Sequence, residues 1–275
     1  MGVREAGCGL APPPAQRLND PMPVHDLRSP RIYLEAPLSG GAMLPLDRGQ
    51  ANYLINVLRC KTGDPVLVFN GRDGEWRTRV DMVSRKGAAL TVDQQTRPQT
   101  APGDLHYAFA PLKQARLDYL VQKAVEMGVS RLAPVLTRHG QVARVNLDRM
   151  RANAIEAAEQ CGILNVPEIA APIALDRLLA EWVPERLMVF CDEEAPVHDP
   201  VAVLEEARDS TPPALGPVPI TVLVGPEGGF SQDERTTLLK LPNLVRLSLG
   251  PRILRADTAG VAVLALVQAT LGDWR

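Results

Sequence analysis

Two glycine-containing stretches near the end of the chain decide its fold: VGPEGGF at 224–230 and LGPRILR at 249–255. Each follows a short apolar run that predicts a buried strand, one at 220–224 and the other at 244–247. Each also leads into a predicted helix. Ligands of open α/β sheets bind at the carboxyl ends of the strands. Two such units in close succession therefore predict one ligand site, built from the loops of two neighbouring strands.

Upstream of these loops the chain alternates between strands and helices, from residue 104 onwards. Short apolar runs predict strands at 107–110, 132–136 and 187–190, and apolar residues at helical spacing predict helices at 115–127, 148–161, 175–182 and 200–208. This alternation predicts an α/β fold over 104–275, with a mostly parallel sheet and helices on both faces.

The N-terminal part has a different pattern. Residues 31–97 carry β-prone runs, one helix at 50–58, and the hairpin dipeptide Asn70-Gly71, which together predict a small β-barrel domain. Residues 98–103 contain two prolines and predict a linker. Residues 1–30 are proline-rich without apolar periodicity and predict a disordered lead, in which Met22 is a candidate start.

Composition narrows the class of protein. With 45% apolar and 23% charged residues, the chain resembles soluble globular proteins. It has neither a signal peptide layout nor the roughly 20 apolar residues of a membrane span. The four cysteines lack C-x-x-C spacing, so no metal site or disulfide framework is predicted, and a reducing cytoplasm is expected. Acidic residues concentrate at 166–240; the more basic remainder could meet a polyanion, although ordinary scatter of surface charge accounts for it equally well.

The first loop limits the kind of ligand. It lacks both the Gly-Lys-Ser/Thr of a phosphate loop and the G-x-G-x-x-G of a dinucleotide fold. Glu227 also argues against a phosphate, and favours a neutral edge such as adenine or a positively charged cofactor. Ser231 and Glu234 predict a capping box at the next helix. A tight turn without any ligand would explain the glycines nearly as well.

The second loop places Arg252 and Arg255 beside Asp257. Two interpretations remain open at this point. Asp257 could be the N-cap of the last helix, with the arginines solvated or paired to it, or the three residues could carry chemistry. The last helix is rich in small residues, which allow another helix to approach closely.

Several segments together resemble one family. They are VGPEGGFSQD (224–233) and LGPRILRADTA (249–259), with VQKAVEMGV (121–129), EAAEQCG (156–162) and VLRCKTGD (57–64). In this order they are similar to the signatures of the RsmE family, which are SPOUT-class methyltransferases acting on N3 of a uridine in 16S ribosomal RNA. Three positions depart from the family pattern, which has glutamate at Asp257, arginine near Ile163 and histidine at Asn52.

The resemblance implies a knotted α/β domain with a deep trefoil, preceded by a PUA-like β-barrel that binds RNA. It implies a homodimer packed through the knot helices, no metal, and S-adenosylmethionine bound against the two loops. The cofactor residues implied are Val224, Gly225, Pro226, Glu227, Gly228, Gly229, Leu249, Gly250, Ile253, Leu254 and Ala259.

Roles in catalysis and in RNA binding follow as hypotheses. Uridine N3 becomes a good nucleophile only after losing its proton, so Asp257, or alternatively Glu227, would accept it. Arg255 or Arg252 would stabilise charge on the uracil carbonyls. Basic residues expected near RNA phosphates are Arg31, Arg59, Lys61, Lys113, Lys123 and Arg138. Alternative functions are a catalytically silent RNA-binding assembly factor and a methyltransferase for another RNA.

Overall fold

The computed structural model describes residues 26, 29–84, 87–142, 144–196, 199–210 and 218–274. The predicted disordered lead and Met22 therefore lie outside the described residues, apart from Asp26, Ser29 and Pro30. The described residues form two sheets, one of five strands and one of seven.

The N-terminal sheet contains five strands and one short helix. In chain order these are β1 (Arg31–Tyr33), β2 (Met43–Pro45), α1 (Arg48–Asn52), β3 (Pro65–Phe69), β4 (Glu75–Ser84) and β5 (Gly87–Arg97). The strand order is β1-β3-β4-β5-β2, with β1 parallel to β3 and the other pairs antiparallel. Alternate residues of these strands, such as Val66, Val68 and Leu90, are fully buried in a separate hydrophobic core that also holds Leu54.

Two local predictions for this region need correction. Asn70-Gly71 is not a two-residue hairpin turn. It opens a loop at 70–74, in which the Asn70 side chain accepts hydrogen bonds from the backbone N–H groups of Arg72 and Asp73 at 3.0 and 2.8 Å. The predicted helix at 50–58 begins as α1 but continues as a π-helical turn over Tyr53–Val57.

The C-terminal part alternates strands and helices as predicted. It contains β6 (Leu105–Phe109), α2 (Gln114–Glu126), β7 (Arg131–Leu136), α3 (Leu147–Cys161), β8 (Glu168–Ile169), β9 (Ile173–Ala174), α4 (Leu175–Ala180), β10 (Leu187–Cys191), α5 (Pro200–Asp209), β11 (Ile220–Val224), α6 (Gln232–Leu238), β12 (Leu244–Leu247) and α7 (Ala256–Thr270). Every strand pair in this sheet is parallel, in the order β12-β10-β11-β6-β7-β8, and β9 pairs with β7. Helices α2, α3, α5 and α7 cover one face and α4 and α6 the other.

The strand order places the two glycine loops differently from the prediction. β11 and β12 are not neighbours, because β10 lies between them. After β11 the chain passes β10 to reach the edge of the sheet, and α7 then returns to pack on α2, α5 and β11. Such a return past an intervening strand is what a trefoil-knotted domain requires. The ligand site is consequently built around three strand ends, not two.

A buried ion cluster joins the two sheets. Glu75 accepts hydrogen bonds from Arg31 Nε at 2.7 Å and Arg97 Nη2 at 2.8 Å. Both guanidinium groups also donate to carbonyl oxygens at the end of α3, Arg31 to Glu159 at 3.2 Å and Arg97 to Gly162 at 2.8 Å. The Arg31 side chain is thus buried and bonded to partners inside the protein, and its contact with RNA phosphates stays a prediction.

Candidate active site

A cavity of about 300 Å³ opens at the carboxyl ends of β10, β11 and β12. Pockets for small-molecule ligands have volumes of roughly 300–1,000 Å³. The cavity walls come from the segments after these strands, at 191–194, 225–230 and 247–254, and from the start of α7. All residues predicted to bind the cofactor line it except Gly228, namely Val224, Gly225, Pro226, Glu227, Gly229, Leu249, Gly250, Ile253, Leu254 and Ala259.

The first glycine loop is tightly fitted to its surroundings. A Cβ on Gly225 would lie 2.5 Å from Phe230 Cε2, and one on Gly229 would lie 2.7 Å from Glu193 Oε1. Phe230 is held in turn by an edge-to-face contact with Phe190, at 5.1 Å between ring centroids. Glycine is therefore required at 225 by a close approach, and at 229 by a φ of 65°.

The loop after β7 supports the same glycine loop from outside. His139 Nδ1 donates to the carbonyl oxygen of Gly228 at 3.0 Å, and the backbone N–H of Arg138 donates to Glu234 at 2.7 Å. Glu234 also completes the predicted capping box with Ser231 at the start of α6. The Arg138 side chain is exposed beside this loop.

The segment after β10, at 191–194, forms a third wall of the cavity that the sequence motifs did not predict. Asp192, directly after β10, is buried and accepts hydrogen bonds from Arg235 at 3.1 Å and Arg246 at 2.9 Å. Burial alone would raise the pKa of Asp192, but these two guanidinium groups and the backbone N–H of Glu194 hold it below its usual value. The signal was present in the sequence, because Asp192 and Glu193 follow an apolar strand in the same way as the glycine loops do.

The second glycine loop makes few contacts. Within the described residues, no hydrogen bond joins 249–254 to the remainder of the chain. Ile253 is 94% exposed at the cavity mouth. Gly250 has a φ of 94°, and no atom lies within 4 Å of the place that a Cβ would take on it. Arg252 lines the cavity and is exposed.

Asp257 is not the N-cap of α7. Arg255 occupies that position, without a side-chain capping bond, and is exposed. Asp257 stands in the first turn, where its Oδ1 accepts from the Thr258 N–H at 2.9 Å. Its other oxygen, Oδ2, lies 3.9 Å from Arg116 Nε, and Arg116 Nη1 donates to Glu227 at 2.9 Å. Arg116, on α2, thus stands between the two candidate proton acceptors, and the sequence analysis missed it.

The remaining basic residues predicted to contact RNA lie elsewhere on the surface. Arg59 and Lys61 are exposed just after the π-helical turn, and Arg59 adopts a φ of 58°, which is unusual for a residue other than glycine. Lys113 is exposed at the N-cap of α2. Lys123 is paired with Glu126 at 2.7 Å.

The described residues also limit other chemistry. No cluster of three or more His, Cys, Asp or Glu side chains among them could hold a metal ion. None of their helices has the length and hydrophobicity needed to cross a membrane. Cys60, Cys161 and Cys191 are free thiols.

Two family models match this chain. The RNA methyltransferase domain matches residues 99–268, and the RNA methyltransferase PUA domain matches residues 46–93. The first covers the C-terminal sheet, and the second covers β3, β4 and most of β5 in the N-terminal sheet.

Individual relatives agree with the family models. The chain is 29% identical to the ribosomal RNA small subunit methyltransferase E of Rickettsia conorii, over 86% of this chain and 94% of that protein. Its identity to the protein of the same name from Buchnera aphidicola is 26%, over 92% and 98%. Among solved structures, the ribosomal RNA small subunit methyltransferase E of Neisseria gonorrhoeae, bound to S-adenosyl methionine, matches with a TM-score of 0.77 and 25% identity, over 90% of this chain and 100% of that one.

These matches extend across both domains and agree with the segments that first indicated the resemblance. The parallel α/β sheet with a PUA-like domain before it is the architecture expected of the SPOUT class. The chain therefore belongs to the RNA methyltransferase family, within the RsmE group that the sequence segments indicated.

Proposed function

We propose that this protein transfers a methyl group from S-adenosylmethionine to N3 of a specific uridine in 16S ribosomal RNA, during maturation of the small subunit. The observation that carries the proposal is the cavity at the ends of β10, β11 and β12, with carboxylates and arginines at its mouth, in a chain of the RNA methyltransferase family. One relative that matches this chain over both domains was solved with S-adenosyl methionine bound, which supports the choice of cofactor.

The cavity residues fit this cofactor. Gly225 and Gly229 line the cavity without side chains, so a ligand can approach the backbone closely there. The exposed carboxylates of Glu193 and Glu227 line the cavity and suit a cofactor that carries a sulfonium and an ammonium group. Leu249, Leu254 and Ala259 offer apolar surface to its adenosine part. When bound, S-adenosylmethionine supplies a methyl group that its sulfonium has already activated.

The protein's own contribution is alignment and removal of a proton. Asp257 is the proposed acceptor of the N3 proton, and Glu227 is the alternative. Asp257 is better shielded from water, since its side chain is 16% exposed and that of Glu227 is 42% exposed. Arg252, at the cavity rim, or Arg255, at the start of α7, is proposed to stabilise negative charge on the uracil carbonyls.

The RNA is proposed to meet both domains. Arg59 and Lys61 are exposed cations between the π-helical turn and β3, Lys113 is exposed at the start of α2, and Arg138 is exposed in the loop beside the cavity. Lys123 remains a candidate despite its pair with Glu126, since exposed ion pairs are weak. Loss of affinity with rising salt would measure these phosphate contacts.

The assembly and the domain limits complete the proposal. The outer side of α7 presents a strip of small apolar residues, Val261, Ala262, Ala265 and Ala269, which supports a homodimer packed through this helix.

The proposed domains are 1–30, 31–97, 98–103 and 104–275; β5 ends at Arg97 and β6 begins at Leu105. Free thiols support a reducing cytoplasm as the location.

The test is methyl transfer by the purified protein to small-subunit particles and to naked 16S RNA, followed by nucleoside analysis for 3-methyluridine. Asp257→Asn should lower turnover roughly hundredfold or more, while calorimetry shows an affinity for S-adenosylmethionine within about threefold of the original. Asp233→Asn is the matched control, because Asp233 has the same first-turn position on α6.

Other results would contradict this proposal. Nearly full turnover by Asp257→Asn would exclude it as the acceptor. RNA binding without cofactor binding would favour the silent assembly factor. Transfer to another RNA alone would exclude the 16S substrate.

A further inference from the structure

Arg116 occupies a position that the proposed roles do not yet use. It lies in the first turn of α2, and its guanidinium lies between two carboxylates of separate elements. Nη1 donates to Glu227 Oε1 at 2.9 Å, while Nε lies 3.9 Å from Asp257 Oδ2. The first glycine loop and the first turn of α7 are thereby linked by one cation, through the cavity-lining Glu227 on one side.

The guanidinium keeps donors available. Within the described part of the chain, Nη2 makes no hydrogen bond, and the side chain is 39% exposed. Since the bond to Glu227 restricts the orientation of the group, its remaining N–H groups are presented next to Asp257. Arg252 and Arg255 differ in this respect, because neither side chain forms a hydrogen bond or ion pair within the same residues.

A carboxylate beside a guanidinium complements the N3 edge of uracil. That edge has one N–H flanked by two carbonyl oxygens, so it needs an acceptor with a donor next to it. Loss of the N3 proton leaves negative charge shared between N3 and both oxygens. A fixed cation next to the proton acceptor stabilises that charge as it develops.

We propose that Arg116 is a catalytic residue, which donates a hydrogen bond to a uracil carbonyl while Asp257 takes the proton from N3. This inference rests on the proposed uridine-N3 methylation. The N3–H bond breaks and its proton goes to the Asp257 carboxylate. The electron pair left on N3 forms the new bond to the methyl carbon, as the carbon–sulfur bond breaks and its electrons remain on sulfur. Glu227 serves to orient Arg116.

The experiment compares Arg116→Gln, Arg116→Lys and Arg177→Gln in the methyl-transfer assay. Arg177 is the control, because it forms an exposed pair with Glu181 at 2.8 Å on α4 and does not line the cavity. Arg116→Gln should lower kcat roughly hundredfold, with calorimetric affinity for S-adenosylmethionine within about threefold. Arg116→Lys, which keeps the charge, should recover part of the loss, and Arg177→Gln should match the original protein.

A comparison of kcat with KM separates this role from a structural one. A donor to the uracil carbonyl acts as negative charge develops in the transition state, so Arg116→Gln should lower kcat while the KM values of both substrates stay nearly unchanged. A kcat within threefold of the original, or a loss confined to cofactor affinity, would overturn the inference while leaving 3-methyluridine formation intact. Absence of 3-methyluridine with the original protein would overturn the proposed function as well.

Discussion

The two glycine loops look alike in sequence but differ in how the protein holds them. The first, 225–230, is held by the bond from His139 to Gly228 and by the packing of its Phe230 on Phe190, and its Glu227 pairs with Arg116. The second, 249–254, has no hydrogen bond to the remainder of the described chain and presents Ile253 almost fully to solvent. A ligand would thus meet one preformed wall and one wall that its own contacts can order.

This difference suits a site that must admit two substrates. A fixed wall lowers the entropic cost of binding the smaller one. A loosely held wall can adjust when the larger one arrives, as mobile loops at active sites commonly do. We expect substitutions on the fixed side to act mainly through stability and cofactor affinity, and substitutions in the second loop to have smaller effects.

The largest effect is expected from Asp192→Asn, which removes a buried charge that pairs with an arginine after the first loop, on α6, and with one before the second loop, on β12. Arg235 and Arg246 would lose a buried carboxylate partner, and breaking a buried ion pair costs about 3 kcal/mol or more. We expect the midpoint of thermal unfolding to be roughly 10 °C lower. Asp93→Asn is the control, because Asp93 also pairs with an arginine but on the surface, and it should shift the midpoint by only about 2 °C.

The pH dependence of stability gives an independent reading of the same network. Despite the opposing effect of burial, the Asp192 pKa is lower in the folded protein than its usual value. Its contribution is therefore complete above the usual carboxyl pKa, near 4, and is lost as pH falls through the lowered value. The Asn variant should lack that part of the acid response. Equal acid responses in both proteins would contradict the assigned role of Asp192.

The next largest effect is expected from Gly225→Ala. The added Cβ would lie 2.5 Å from the Phe230 ring, which cannot move freely because it packs on Phe190. The ring or the loop must shift, and we expect cofactor affinity by calorimetry to fall about hundredfold, as such misplacement of a preformed site commonly costs. Gly103→Ala is the matched control, since nothing lies within 4 Å of its Cβ position. Unchanged affinity in Gly225→Ala would mean that the fixed wall is not a binding surface.

Much of this comparison was accessible from sequence, for physical reasons. Apolar runs predicted β11 and β12 with their observed limits. The signal is stronger for β11, which is central in the sheet and buried on both faces, than for β12, which is a half-buried edge strand. Ser231 and Glu234 were correctly assigned to a capping box because that interaction spans one turn.

What the sequence could not provide was set by contacts distant along the chain. Three features depend on which elements become neighbours in the fold. They are the position of β10 between β11 and β12, the contacts of Arg116 with Glu227 and Asp257, and the burial of Arg31. The environment of Ile163 was likewise not predictable from nearby sequence. The family resemblance placed an RNA-contacting arginine near it, but here the isoleucine packs partly buried against the main core.

The smallest effect is expected from Gly250→Ala, which tests the loosely held side. Gly250 has a φ of 94° but no neighbour within 4 Å, so alanine meets backbone strain without collision. Such strain costs about 1 kcal/mol, which corresponds to a roughly fivefold loss of cofactor affinity if the bound loop keeps this conformation. Thermal stability should change little, because the unliganded loop has no hydrogen bond to the remainder of the described chain that would stop it from relaxing to a conformation that alanine tolerates. Hydrogen exchange should show the amides of 249–254 slowed by S-adenosylmethionine, while those of 228–230 change less. Equal protection of both loops, or a loss in Gly250→Ala as large as in Gly225→Ala, would show that the two walls are held alike.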